Sequence, residues 1–169
     1  MALTRVRSSG LFTDFVNGPT VVDHWYLNAD HTTDGTSDLT AWTQVTTAFT
    51  QTAKLSGMSH SSGIFTFPQT GLYKVSLVFC CRSDSSDHMT GVISVTTDNS
   101  TYNSVVNVIH GDSDTRNGGA FSFGFINVTD TSNVKVKFVA ESMNSGSYVL
   151  GSASEIRTSV MFERIADAQ

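Results

Sequence analysis

The sequence predicts an all-β protein, and three observations support this fold class. Apolar residues alternate with polar ones at the period of two that a pleated strand requires, most clearly in residues 63–79. Clusters of Gly, Pro, Asn, Asp and Ser separate eight or more such short segments. Only 15% of the residues are charged, as is typical of half-buried pleated surfaces joined by polar turns. The expected architecture is a two-sheet antiparallel β-sandwich, or jelly roll.

Residues 63–79 contain two strands and the turn that joins them. Phe65 and Phe67 share one face of the first strand, and residues 68–71 supply the Pro and Gly that favour a turn. The second strand has four residues on one face: Tyr73, Val75, Leu77 and Phe79. Both strands can therefore bury aromatic side chains in the same core.

The rest of the chain follows the same pattern around one domain. At 169 residues it is long enough for one sizeable core and too short for two ordinary domains. We expect the domain over residues 20–169, after an N-terminal arm over residues 1–19. Residues 28–40 and 82–90 are predicted to be polar loops. Other strands are predicted near residues 20–27, 92–97, 102–109, 121–125, 134–138, 148–150 and 159–165.

Charge and hydropathy narrow the classes of partner. Lys and Arg number 10 and Asp and Glu 15, so the net charge is −5, which disfavours binding to a phosphate backbone. We therefore expect no nucleic-acid partner. No apolar run approaches the ~20 residues of a membrane-spanning helix, so no membrane insertion is expected. Arg5 and Arg7 are not followed by the apolar core of a signal peptide, which predicts synthesis in the cytoplasm of a host cell.

The motifs of common enzymes are missing from the sequence. There is no G-x-S-x-G nucleophile elbow, and no zinc-type C-x-x-C or Gly-rich phosphate loop. Cys80 and Cys81 are adjacent and should point to opposite faces of a strand, so we expect two free thiols. The five histidines are scattered, at positions 24, 31, 60, 88 and 110. We predict a protein that is not an enzyme.

Acidic residues cluster in three predicted loops. Asp is common in turns because its side chain bonds to the local backbone, so plain surface loops explain these clusters. The alternative is a calcium site, because hard cations bind converging carboxylate and carbonyl oxygens. The residues selected for this alternative are Asp84, Asp87, Asp112 and Asp114. No other cofactor is expected.

The order G-x-F-x-F-P-x-x-G-x-Y in residues 63–73, followed by alternating apolar residues, resembles a known family. It is similar to the globular head of complement component 1q and its tumour-necrosis-factor-like relatives. Looser similarities continue in the Gly-Gly-Ala-Phe-Ser-Phe segment at 118–123, at 130–136 and in the last strand at 158–162. The resemblance covers about residues 20–165. No Gly-X-Y stalk or heptad coil precedes the domain in this sequence.

A second group of residues resembles a subset of this family. Trp-x-Leu at 25–27, Trp42 and Gly-Met-Ser at 57–59, all ahead of the main motif, are similar to short versions of the domain in marine bacteriophage structural proteins. The resemblance implies a homotrimeric jelly roll whose threefold axis is lined by aromatic side chains. The residues it implies for the trimer interface or core are Tyr73, Phe65, Phe67 and Phe162, with Tyr73 and Phe162 first for the axis. Most other aromatic residues are expected in the core.

The function that the resemblance implies is that of a virion structural protein. The trimer would be a decoration or fibre-head component on the exterior of a bacteriophage particle, bound to the major capsid protein or another virion protein. The arm would make this attachment through Arg5, Arg7, Leu11, Phe12 and Phe15. Two alternatives remain open. One is a receptor-binding tip of a tail fibre that recognises host glycans, and the other is a secreted recognition module of the complement type.

Overall fold

The computed structural model describes residues 19–45, 57–84, 87–112 and 115–169. These residues form twelve strands in two antiparallel sheets, which confirms the predicted fold class. The strands are β1 (Val22–Leu27), β2 (Gly35–Asp38), β3 (Trp42–Gln44), β4 (Ser59–Ser61), β5 (Ile64–Thr66), β6 (Gly71–Arg82), β7 (Asp87–Thr96), β8 (Asn103–Asp112), β9 (Asn117–Val128), β10 (Lys135–Met143), β11 (Tyr148–Val149) and β12 (Ser159–Ala166). Among the described residues, no helix has the length and apolar character needed to cross a membrane.

Each sheet has six strands. In the first sheet β9, β6, β12, β1 and β3 lie side by side, and β11 pairs with the end of β6 on the β12 side. In the second sheet β8, β7, β10, β5 and β4 lie side by side, and β2 pairs with β10. The chain crosses between the sheets from β6 to β7 and from β8 to β9. As a result, β8 and β9 are the outermost strands of the two sheets at the same side of the sandwich.

The core lies between the sheets and is centred on aromatic side chains. The four residues of β6 predicted to share a face are all fully buried, as the alternation required: Tyr73, Val75, Leu77 and Phe79. The Phe65 ring of β5 meets five other rings at centroid distances of 4.7–6.0 Å, those of Trp25, Trp42, His60, Phe138 and Phe162. Because these partners come from both sheets, Phe65 joins the two layers at the middle of the core.

Replacing Phe65 with Ala should lower the free energy of unfolding by about 3–5 kcal/mol, the usual effect of removing a buried phenylalanine. The loss should appear in urea denaturation followed by tryptophan fluorescence, since both Trp25 and Trp42 contact the ring. Ile165→Ala, whose side chain is exposed, is the control and should change stability by less than about 0.5 kcal/mol. A Phe65→Ala variant as stable as the control would contradict this view of the core.

A buried carboxylate connects three segments at the β1 side of the core. Asp23 is fully buried. Its Oδ2 accepts hydrogen bonds from Trp25 Nε1 at 2.8 Å and from the Met58 backbone N–H at 2.7 Å, and its Oδ1 accepts one from Gln44 Nε2 at 2.7 Å. The side chain therefore ties β1 and β3 of the first sheet to the residue that leads into β4 of the second sheet. Three donors offset the cost of burying the charge.

Candidate association surface

The four aromatic residues that the resemblance implied for the trimer interface or core lie in the core of a single chain. Tyr73, Phe65 and Phe162 are fully enclosed, and Phe67 is 2% exposed. The ring of Phe67 packs against that of Tyr73 at 4.7 Å between centroids. The expectation that Tyr73 and Phe162 line a trimer axis is therefore corrected. Both point toward the opposite sheet, so their own chain already encloses the surface that a second chain would have to contact.

The hydroxyl group of Tyr73 has a hydrogen-bond partner within its own chain. Its Oη donates a hydrogen bond to the Gln69 carbonyl at 2.8 Å. Burial raises the pKa of this phenol above its ordinary value, and the nearby positive charge of Arg164 opposes part of the rise. A neutral, hydrogen-bonded hydroxyl at the end of a buried ring is a stable core arrangement, because the polar atom has a partner.

A different set of aromatic side chains is exposed. Phe121, Phe123 and Phe125 of β9 are 59%, 44% and 60% exposed, and all three point away from the core. Neighbouring rings are in contact, at centroid distances of 6.3 Å and 5.6 Å. We call these three residues the aromatic row. The sequence pattern predicted a strand near residues 121–125, but most aromatic residues were expected in the core, so the row was not predicted as a site.

The outward direction of the row follows from the crowding on the other side of β9. A Cβ atom built at Gly118 would lie 1.9 Å from the His110 ring, and one at Gly124 would lie 2.8 Å from Val106. Ala120 and Ser122 occupy the inward positions between these glycines. Since β8 lies close against the inner face of this part of β9, only small residues fit there over residues 118–124. The bulky residues of this part of the strand are therefore on the outer face, whereas Ile126 and Val128, further along β9, are buried in the core.

The apolar surface continues from the aromatic row across the first sheet. In the register of β9 with β6, Phe121 lies opposite Val78 and Phe123 lies opposite Ser76. In the register of β6 with β12, Ser76 lies opposite Met161, which is partly buried. Val78 is 36% exposed. Paired residues share a face of the sheet, so these side chains form one outward surface with the row. We call this surface the aromatic face.

One ion pair lies within the aromatic face. Lys74 Nζ is 3.2 Å from Glu163 Oε2, and both side chains are about one-third exposed. The same ammonium lies 5.3 Å from the centroid of the Phe123 ring, within the range of a cation–π contact. Because the two charges cancel, the pair adds no net charge to the face.

Exposed apolar side chains also lie on β8, the outermost strand of the second sheet, which is next to β9 at the same side of the sandwich. Val105 and Ile109 of β8 are 53% and 66% exposed. Within the described ranges, β8 pairs only with β7, and β9 pairs only with β6, so each strand leaves one edge open. Long open edges with apolar side chains are usually covered in native proteins, because they otherwise promote uncontrolled pairing.

The acidic residues selected for the calcium alternative fall near one end of the sandwich. Asp84 follows β6 and Asp87 begins β7, where it lies opposite Asp112 in the register with β8. Asp114 lies outside the described residues. Across the described ranges, no three His, Cys, Asp or Glu side chains gather closely enough to form a metal centre.

The remaining sequence predictions concern the arm and the cysteines. The arm residues Arg5, Arg7, Leu11, Phe12 and Phe15 lie outside the described residues. Cys80 and Cys81 are both free thiols. Burial, with smaller contributions from the nearby Cys80 and Asp87, raises the pKa of the Cys81 thiol to about 12. Cys81 is therefore an uncharged packing residue at neutral pH.

Comparison with known proteins identifies the fold. No protein-family model matches the chain, and no curated protein sequence matches it. Among solved structures, the crystal structure of murine APRIL aligns with a TM-score of 0.63 at 13% identity, over 86% of this chain and 98% of APRIL. The structure of Eiger TNF from S. frugiperda aligns with a TM-score of 0.65 at 14% identity, over 89% of this chain and 96% of the other. The chain therefore has the jelly-roll fold of tumour-necrosis-factor-like proteins.

Proposed function

We propose that this chain is a structural module that assembles with two further copies of itself through the aromatic face. The observation that supports this most directly is the aromatic row, three phenylalanines in contact with one another and exposed to solvent on one strand. A sandwich with a complete core does not need them for its own stability. Contiguous exposed apolar surface of this kind marks an interaction site.

The size of the surface supports a stable contact. Taking about 200 Å² for a phenylalanine side chain, the exposed parts of the row amount to roughly 300 Å². Their burial would stabilise an assembly by about 7 kcal/mol per chain at 25 cal/mol per Å², before the costs of association. Val78, Val105 and Ile109 enlarge the exposed apolar area further. An apolar patch of this size is often a functional surface.

A copy of the same chain is the partner that fits this surface best. The edge formed by β8 and β9 is apolar on both sides, and the aromatic face extends from that edge toward β12. Packing the edge of one copy onto the face of the next is a head-to-tail contact, which closes into a ring when the rotation allows it. The resemblance to complement component 1q and tumour-necrosis-factor-like proteins implies that this ring has three members.

The proposed setting is the exterior of a bacteriophage particle. We base this on the Trp-x-Leu segment at 25–27, Trp42 and the Gly-Met-Ser segment at 57–59, which resemble the short domains of marine phage structural proteins. The trimer would serve as a decoration or fibre head, held by a capsid or other virion protein. Its role would be binding and not catalysis. Glycan recognition at the tip of a tail fibre remains the alternative within the same setting.

Electron microscopy of intact particles tests this setting. Antibodies raised against the purified chain and labelled with gold should bind the outside of particles of the phage whose genome encodes it. Regularly spaced label over the head would favour a decoration, and label confined to the tail end would favour the fibre tip. A chain that is abundant in infected cells but missing from purified particles would rule out the virion role while leaving the trimer untouched.

A further inference from the structure

Two carboxylates meet the same turn at one end of the sandwich. Asp87 Oδ2 accepts a hydrogen bond from the Asn144 backbone N–H at 3.1 Å. The backbone N–H of Asp84 donates to Ser147 Oγ at 2.9 Å. Gly146 has φ +90°, and a Cβ atom built there would lie 2.5 Å from Asp84 Oδ2, so the carboxylate of Asp84 lies directly against the turn. Residues 144–147 thus receive one acidic side chain from the end of β6 and one from the start of β7.

One of the carboxylate oxygens lacks a partner. Asp87 is 4% exposed, and its Oδ1 makes no hydrogen bond in the part of the chain that the structure describes. None of the ion pairs among the described residues includes Asp84 or Asp87. The neighbouring Cys81 is an uncharged thiol at neutral pH. Buried polar atoms are nearly always paired in native proteins, so this oxygen indicates a partner, such as an ion or a water molecule, that the described residues do not supply.

We propose that Asp84, Asp87 and the 144–147 turn bind a calcium ion. All available ligands are oxygens, which hard cations prefer and which transition metals do not require. Two carboxylates are too few to bind the ion alone, so backbone carbonyl groups of the turn, the Ser147 hydroxyl and water would complete the coordination. A site with so few charges suits the weak affinities of extracellular calcium modules. The site lies within one chain and does not depend on the proposed trimer.

The absence of a Cβ atom at Gly146 leaves room for the Asp84 carboxylate. Any Cβ at this position would push the Asp84 carboxylate out of its place against the turn. The positive φ also makes other residues unfavourable there. Of the four acidic residues that the sequence offered for a calcium site, Asp84, Asp87, Asp112 and Asp114, only the first two are assigned to this site. Asp87 is the residue that the ion would neutralise.

The test is the melting temperature of the full chain with calcium chloride and with excess EDTA. Calcium ~100-fold above its dissociation constant should raise the melting temperature by several degrees. The rise should be lost in Asp87→Asn and Asp84→Asn and kept in Asp34→Asn, an exposed acidic residue of another loop. Asp87→Asn should melt no lower than the wild-type chain in EDTA, because it removes an unpaired buried charge.

A second measurement covers the case in which Asp87→Asn does not fold. Equilibrium dialysis with calcium as the only divalent ion should give one bound ion per wild-type chain and none for Asp84→Asn, whose side chain is exposed. The proposal is overturned if the wild-type chain shows neither a calcium-dependent melting temperature nor bound calcium. It is equally overturned if Asp84→Asn binds calcium as the wild-type chain does.

Discussion

Replacing Phe123 with Asp should convert the assembled protein into a folded monomer of 18.2 kDa. Phe123 is the middle ring of the aromatic row, in contact with Phe121 and Phe125, and Lys74 Nζ lies over it. A carboxylate enclosed in an apolar contact costs several kcal/mol, and each copy in a ring would contribute one. The fold should survive because the side chain points outward and is 44% exposed. Sedimentation velocity and circular dichroism together measure the two outcomes.

Two variants control this experiment. Phe123→Leu keeps an apolar side chain at the position and should assemble. Ser61→Asp introduces the same charge at an exposed site on β4, the outermost strand on the opposite side of the second sheet, and should also assemble. A Phe123→Asp protein with the mass of the wild-type assembly would show that the aromatic row is not part of the interface.

Replacing Asp23 with Ala should lower the free energy of unfolding by about 3–5 kcal/mol. The substitution leaves the donors of Trp25, Gln44 and Met58 without their shared acceptor. For a domain of this size, the melting temperature should fall by about 2–4 °C for each kcal/mol. Differential scanning calorimetry checks the value.

The comparison for Asp23 is an acidic residue at the surface. Asp38 forms an ion pair with Lys137 at 2.9 Å, and its side chain is 40% exposed. Solvent screens such a pair, so Asp38→Ala should cost about 1 kcal/mol or less. Equal effects for the two substitutions would show that the buried hydrogen bonds of Asp23 do not hold the sheets together as the structure indicates.

The sequence predicted the fold class because strand alternation is a local property. Tyr73 and Phe79 could be assigned to the core from spacing alone, and the structure buries both. Short strands and strand ends were not predicted from the sequence. β2 lies inside the predicted loop 28–40, and its polar residues form a strand only because they pair with β10. Likewise, β7 begins at Asp87, within the predicted loop 82–90, because pairing with β8 extends it.

The association surface could not be predicted to the same degree. The signal for the aromatic row was present, since Gly118, Ala120, Ser122 and Gly124 alternate with larger residues. Alternation shows that two faces differ but does not show which one meets the core. That depends on the position of β8, whose His110 and Val106 fill the space beside the glycines. The resemblance pointed to Tyr73 and Phe162 for the axis, although the spacing of Tyr73 had already placed it inside.

The structural role of Asp23 also could not be predicted from the sequence. Its partners are 2, 21 and 35 residues away along the chain, and the most distant is a backbone N–H that has no signature of its own. The pairing of Asp84 and Asp87 with the 144–147 turn is similar, because the turn comes about 60 residues later. Spacing within a loop suggested the acidic residues, and only the fold identified their neighbours.

The mass of the wild-type chain in solution tests the central claim most directly. Multi-angle light scattering over a wide range of concentrations should give about three times the 18.2 kDa of one chain. The value should stay constant on dilution, because a ring with a buried aromatic face dissociates only at low concentration. A mass of 18.2 kDa at every concentration would contradict the proposed trimer and leave the exposed aromatic row without a partner of its own kind.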